Sequence, residues 1–212
     1  MQIDRLTSKA YNVCEWIAKI VIVNLVWLLF TVAGLILFGI MPATVALFTV
    51  VRKWTMSETD IPIFQTFFQT YKKEFLPANL YGFFLVAAGF FLYYDLKLVL
   101  SIGGMFLAVL GVPLLIITCS YLLILLYFFP VYVHFELRFL HYFKYAFFIG
   151  LLNLPTTLLI VTALLFFCMV ISYLPGFIPF FSMSVISIII MFGAATAFKR
   201  IAKKQSKYQV QS

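Results

Sequence analysis

The residues that could do chemistry are few and far apart. Asn24, Asn79 and Asn153 are the notable polar side chains inside or beside long apolar runs. In an apolar medium a carboxamide can line a polar path for a solute. It can also hydrogen-bond a neighbouring helix, for about 0.6 kcal/mol on average. A second group comprises His134, Glu136, Arg138 and His141. If that segment is helical, His134, Arg138 and His141 share one face at i, i+4 and i+7, with Glu136 off it. Two imidazoles and a carboxylate suit a metal, but an Arg between the histidines repels a bound cation, and the H-E-x-x-H spacing is absent. The segment therefore reads as a solvated connection. Asp95 and Lys97 stand apart from the other charges. An acid at a pore mouth could select cations, although a polar loop needs nothing more than such a pair.

Other chemistries leave no trace. Cys14, Cys119 and Cys168 are widely spaced and form no C-x-x-C pair, so they read as small apolar residues rather than metal or redox ligands. There is no G-x-x-x-x-G-K-[ST] phosphate loop and no G-x-S-x-G elbow. No catalytic, cofactor-binding or metal-binding residue can be named, and the chain reads as a non-enzyme.

Composition sets the medium. Hydrophobic residues make up 65% of the chain and charged residues 10%, against about 45–50% and about 25% in soluble domains. A soluble fold could not bury that much apolar surface, so lipid must solvate most side chains. The net charge of +8 would suggest nucleic acid in a soluble protein. Here the basic residues flank apolar spans, as cytoplasmic loops do, and no nucleic-acid motif accompanies them.

The elements that must position these residues are helices. Residues 1–16 mix Asp4, Arg5, Lys9 and Glu15 with Ile3, Leu6, Tyr11 and Trp16, an interfacial lead-in in which Glu15 and Lys19 stand at i, i+4. A spanning helix needs about 20 residues. The apolar runs divide into six spans at about 17–37, 42–55, 77–94, 105–129, 149–173 and 181–198. The first run continues past any signal-peptide length, so the first helix is expected to stay as an anchor. A turn is expected at residues 38–41, with Pro42 as the first helical residue of the second span. Gly104, Ala108 and Gly111 form a small-residue stripe in the fourth. Between spans two and three, Phe64, Phe67, Phe68, Tyr71 and Phe75 recur at i, i+3, i+4, i+7 and i+11. That is one face of an amphipathic helix over 60–75, expected to lie on the inner membrane surface and to offer a partner-docking face.

The architecture predicted is a single all-α polytopic bundle over residues 1–212. With six spans and both termini inside, Lys97 is the one Lys or Arg of the fifteen left outside. A five-span alternative places Arg5, Lys9, Lys19 and Lys97 outside, a poorer positive-inside pattern. By these spans no Asp, Glu, Lys or Arg lies near a helix centre, which disfavours a carrier coupled to protons or sodium.

Several stretches are similar to one family. They are Gly39-Ile40-Met41-Pro42-Ala43-Thr44-Val45-Ala46-Leu47-Phe48, Val50-Val51-Arg52-Lys53-Trp54, Asp60-Ile61-Pro62-Ile63-Phe64, Tyr71-Lys72-Lys73-Glu74-Phe75, Asn79 and Asn153-Leu154-Pro155. Their order and spacing resemble the YesL family of small membrane proteins of Gram-positive bacteria, most closely over about residues 12–82. The resemblance implies a bacterial plasma-membrane protein whose genes lie beside those for carbohydrate uptake, including ABC importers. It assigns no catalytic residue. The importer-permease loop of E-A-A…G type is absent, so an accessory component of oligosaccharide uptake, in contact with importer permease subunits, is the function implied. A self-contained small-molecule transporter or channel is the alternative. It requires a polar cavity near Asn24, Asn79 or Asn153.

Overall fold

The computed structural model describes residues 2–102 and 104–210, with side chains described for residues 11–102, 104 and 109–201. The side chains of Asp4, Arg5 and Lys9 in the lead-in, Ala108 in the small-residue stripe, and Lys203, Lys204 and Lys207 in the basic tail lie outside the described residues.

The described chain is helical, without strands. Its elements are α1 (Gln2–Ala33), α2 (Leu37–Thr55), α3 (Ile63–Ile102), α4 (Gly104–His134), α5 (Phe139–Leu152), α6 (Leu154–Tyr173), a short 3-10 turn (Pro175–Phe177) and α7 (Ile178–Val210). Six stretches are long and apolar enough to cross a bilayer: Tyr11–Ala33, Leu37–Thr55, Ile63–Ile102, Val109–His134, Leu154–Tyr173 and Pro175–Ile201. Helices satisfy their own backbone groups, the condition a bilayer interior imposes. Apolar side chains such as Leu115, Ile116, Leu158 and Phe166 point outward, as lipid solvation allows.

Helix α2 is the axis of the bundle. It buries eleven residues, from Gly39 to Trp54, against α1, α3, α4 and α7. Its small residues Gly39, Ala43 and Ala46 let neighbouring backbones approach. The α1–α2 reversal is tight. Leu35 and Ile36 both have positive φ, and the Leu37 N–H donates to the Leu35 carbonyl at 2.7 Å, a γ-turn centred on Ile36. A Cβ on Gly39 would collide with the Thr31 carbonyl oxygen, so only glycine fits there.

Four boundaries differ from the sequence expectation, each for a local reason. The first turn falls at Gly34–Ile36 rather than at residues 38–41, and Pro42 sits inside α2. The close approach that Gly34 and Gly39 permit lets the chain reverse earlier. The amphipathic stretch is helical from Ile63, and it runs without a break into the third span as one 40-residue helix. Pro77 lies inside α3, flanked by buried Phe67 and Tyr81, whose packing keeps both halves on one course. Asp95 and Lys97 consequently lie in the final turns of α3, not in a loop. Helix α4 continues through Pro130 to His134. The expected 149–173 span divides at Asn153 into α5 and α6, with Pro155 in the first turn of α6, where its missing N–H costs nothing.

Candidate functional site

The three asparagines do not converge. Each closes a different gap in the backbone. Asn24 is fully buried on α1. Its Nδ2 donates to the Pro179 carbonyl at 2.7 Å, and its Oδ1 accepts from the Met183 and Ser184 N–H groups at 3.1 and 3.0 Å. Pro179 and Met183 are an i, i+4 pair, so one carboxamide spans a rung of α7 and fixes α1 to its first turns. Asn79 on α3 donates to the Phe38 carbonyl at 2.9 Å and to Phe75 at 2.7 Å. Phe38 lies four residues before Pro42, which has no N–H to give it. Asn153 stands at the α5–α6 break and donates to the Ile149 carbonyl at 3.0 Å. Beside it, the Thr157 hydroxyl donates to the Gly150 carbonyl at 3.0 Å and pairs with the Tyr127 hydroxyl at 2.9 Å.

The aromatic face on α3 is packed in part against α1. Phe30 of α1 is its hub, with ring centroids 5.8 Å from Phe64, 5.2 Å from Phe67, 6.0 Å from Phe68 and 4.9 Å from Tyr71. Phe67 is fully buried, while Phe64 and Phe68 stay about half exposed, at 57% and 48%. Tyr71 donates to the Phe30 carbonyl at 3.2 Å and packs edge-on against Phe75. Five aromatic rings at helical spacing signal a buried stripe as readily as a docking face. Of the five expected docking residues, Phe64 and Phe68 keep the most free surface.

Two charged sites escaped the sequence reading. Glu74 lies well inside α3, with only 19% of its side chain exposed. Its Oε2 accepts from the Tyr132 hydroxyl of α4 at 2.6 Å. Around this pair Tyr81 packs on Phe128, Tyr132, Phe139 and Tyr142. Glu74 is the twelfth residue of the 40-residue α3, away from its centre, so the expectation of no charged residue near a helix centre is not contradicted by it. The Tyr71-Lys72-Lys73-Glu74-Phe75 stretch was the available signal.

The second site is a cleft of about 1170 Å³ enclosed by the end of α2, the 135–138 connection, α5 and the end of α7. Both histidines of the sequence line it, although α4 stops at His134 and the helical register presumed between them is broken. Lys144, Lys199, Thr55 and Ser57 add polar groups, and Phe148, Leu152, Phe198 and Ile201 add apolar ones. Among the described residues no Asp or Glu lines it, and the Arg52 Nε and the His134 Nδ1 are buried without a described hydrogen-bond partner. The Arg52 charge is close enough to act on His134. Among the described residues no group of three or more His, Cys, Asp or Glu is placed to hold a metal. The arrangement suits an anion with an apolar body.

Comparison with known proteins gives this geometry a family. A protein-family model described as "Protein of unknown function, DUF624" matches residues 20–96. Three proteins of Bacillus subtilis (strain 168), each described as uncharacterized, match nearly the whole chain. YteU is 40% identical over 88% of this chain and 84% of its own length. YesL is 33% identical over 98% of both. YesV is 35% identical over 92% of this chain and 94% of its own. The chain belongs to the YesL family. No solved structure matches it. The family match at residues 20–96 takes in the α1–α2 hairpin, Asn24, Asn79, the Phe30 hub and Glu74, whereas the basic cleft draws mainly on residues beyond it. The full-length YesL-family alignments cover both.

Proposed function

We propose that this YesL-family chain is a non-enzymatic accessory component of an oligosaccharide ABC-type uptake system in the bacterial cell membrane. Both termini face the cytoplasm, the orientation the distribution of Lys and Arg favours. The observation that carries the accessory reading is the use made of the intramembrane polar groups. Asn24, Asn79 and Asn153 all bond backbone carbonyls of the bundle, and all three lie away from the basic cleft, whose lining includes none of them. A transporter needs such groups free to meet a solute. The sugar-uptake setting rests on the family resemblance. Phe64 and Phe68, half exposed beside the Phe30 hub, are the residues assigned to the contact with an importer permease subunit.

The test is affinity purification in mild detergent from the native organism grown on several polysaccharides, with mass spectrometry of the co-purifying proteins. Stoichiometric recovery of sugar-importer permease subunits is expected. Recovery of the chain alone, or only as a self-oligomer, counts against the accessory role and favours a self-contained transporter.

A further inference from the structure

We propose that the cleft between α2, α5 and α7 binds one anionic phospholipid, its phosphate among Lys144, Lys199 and His141 and an acyl chain along Phe148, Leu152 and Phe198. This inference does not depend on the importer association.

Three observations carry it. The first is charge. Lys144, Lys199 and both histidines line the cleft, and among the described residues no carboxylate does. An anion is therefore the complementary guest, and basic pockets between membrane helices on the cytoplasmic side take anionic headgroups. The second is size and lining. About 1170 Å³ exceeds the usual small-molecule range of about 300–1,000 Å³. A bare phosphate would fill a small part of it and leave the phenylalanine wall uncovered. An acyl chain covers that wall while the phosphate reaches the lysines. The third is a buried polar atom of the wall. His134 belongs to the cleft lining, and among the described residues its Nδ1 has no hydrogen-bond partner, whereas buried polar atoms are ordinarily satisfied. Headgroup oxygens and the water they carry would supply what the protein withholds.

Location agrees with this chemistry. Under the proposed topology the cleft opens at the cytoplasmic end of the bundle, where anionic lipids give the leaflet its negative surface. Tyr145, Phe148 and Leu152 are themselves exposed on α5, at 43%, 45% and 69%, so a lipid tail can leave the cleft directly into the bilayer.

The experiment is native mass spectrometry of the full-length chain presented with phosphatidylglycerol or phosphatidylcholine of identical acyl chains, and separately with soluble glycerol phosphate. Phosphatidylglycerol is expected to be retained as a single bound copy, in clear excess over phosphatidylcholine. Each basic residue near an anionic surface is worth about fivefold in affinity, so the Lys144→Gln/Lys199→Gln variant should bind phosphatidylglycerol about thirtyfold more weakly. A Lys72→Gln/Lys73→Gln control, equal in charge change but away from the cleft, should bind as the parent does. Ala195→Phe, which fills the cleft from α7 without altering charge, should exclude both lipids. Equal retention of the two lipids overturns the proposal, and so does full retention by either cleft variant. Glycerol phosphate competing as well as the lipid would make this a soluble-anion site and overturn the lipid assignment.

Discussion

Asn79 supplies the hydrogen bond that Pro42 removes. The proline lacks the N–H that would reach the Phe38 carbonyl one turn back, and the Asn79 carboxamide, from α3, donates to that carbonyl at 2.9 Å. A helix defect and a distant side chain thus form one unit. The relationship predicts energetic coupling. Asn79→Leu should destabilise the protein by about 0.5–1.5 kcal/mol, the net worth of one hydrogen bond. In a Pro42→Ala background the backbone can serve Phe38 itself, and the same substitution should cost about half as much. A double-mutant cycle on thermal unfolding in detergent measures this. Strict additivity would show that the two residues do not share the carbonyl.

The Phe30 hub separates packing from docking. Phe67 is wholly buried against Phe30, so Phe67→Ala should cost about 3–5 kcal/mol. Phe64 and Phe68 are half exposed, and Phe64→Ser with Phe68→Ser should change stability by less than about half of that while lowering recovery of the permease partner. Unchanged partner recovery in the double serine variant would remove the docking role from this face.

The α1–α2 hairpin tolerates no side chain at Gly39. A methyl group there meets the Thr31 carbonyl, a backbone atom that cannot move aside. Gly39→Ala should destabilise the protein by about 1–3 kcal/mol, the usual range for overpacking, read as a lower unfolding temperature. Gly176, whose added Cβ would meet open space, is the matched control, and Gly176→Ala should be close to neutral.

Topology is tested in a background lacking Cys14, Cys119 and Cys168. Ser101, near the end of α3, and Ser57, between α2 and α3, are both exposed. Ser101→Cys should react with an impermeant thiol reagent added to intact cells, and Ser57→Cys should react only after the membrane is permeabilised. The opposite pattern would invert the orientation.

The membrane class, the six apolar helices and the family were legible in the sequence because they depend on composition, run length and motif order, all one-dimensional quantities. The break at Asn153 and the continuity of α3 were not. Pro155 and Pro77 look alike on paper. Pro77 stays helical between two buried aromatic anchors, while the chain at Pro155 opens two residues earlier, where Asn153 and Thr157 serve the Ile149 and Gly150 carbonyls and Tyr127 pairs with the Thr157 hydroxyl. Such compensation involves residues up to 30 positions apart. The partner of Glu74 was hidden for the same reason, since Tyr132 lies 58 residues away. The cleft was half visible. The two histidines drew notice as a metal candidate, but Lys199 and Phe198 come from a different part of the chain, and only the fold brings them to the same wall.

The central claim is that the intramembrane asparagines are engaged by backbone groups within the bundle and line no aqueous path. The most direct measurement places cysteine at Asn24 and, separately, at Asn153, which are 0% and 7% exposed, in the same cysteine-free background, and follows modification by a small water-soluble thiol reagent from each side of the membrane. The expected result is no modification of the folded protein at either position, with full reaction after denaturation. Rapid reaction at either residue in the folded protein would reveal water at that depth, contradict the packed interior and make solute flux in proteoliposomes the function to pursue.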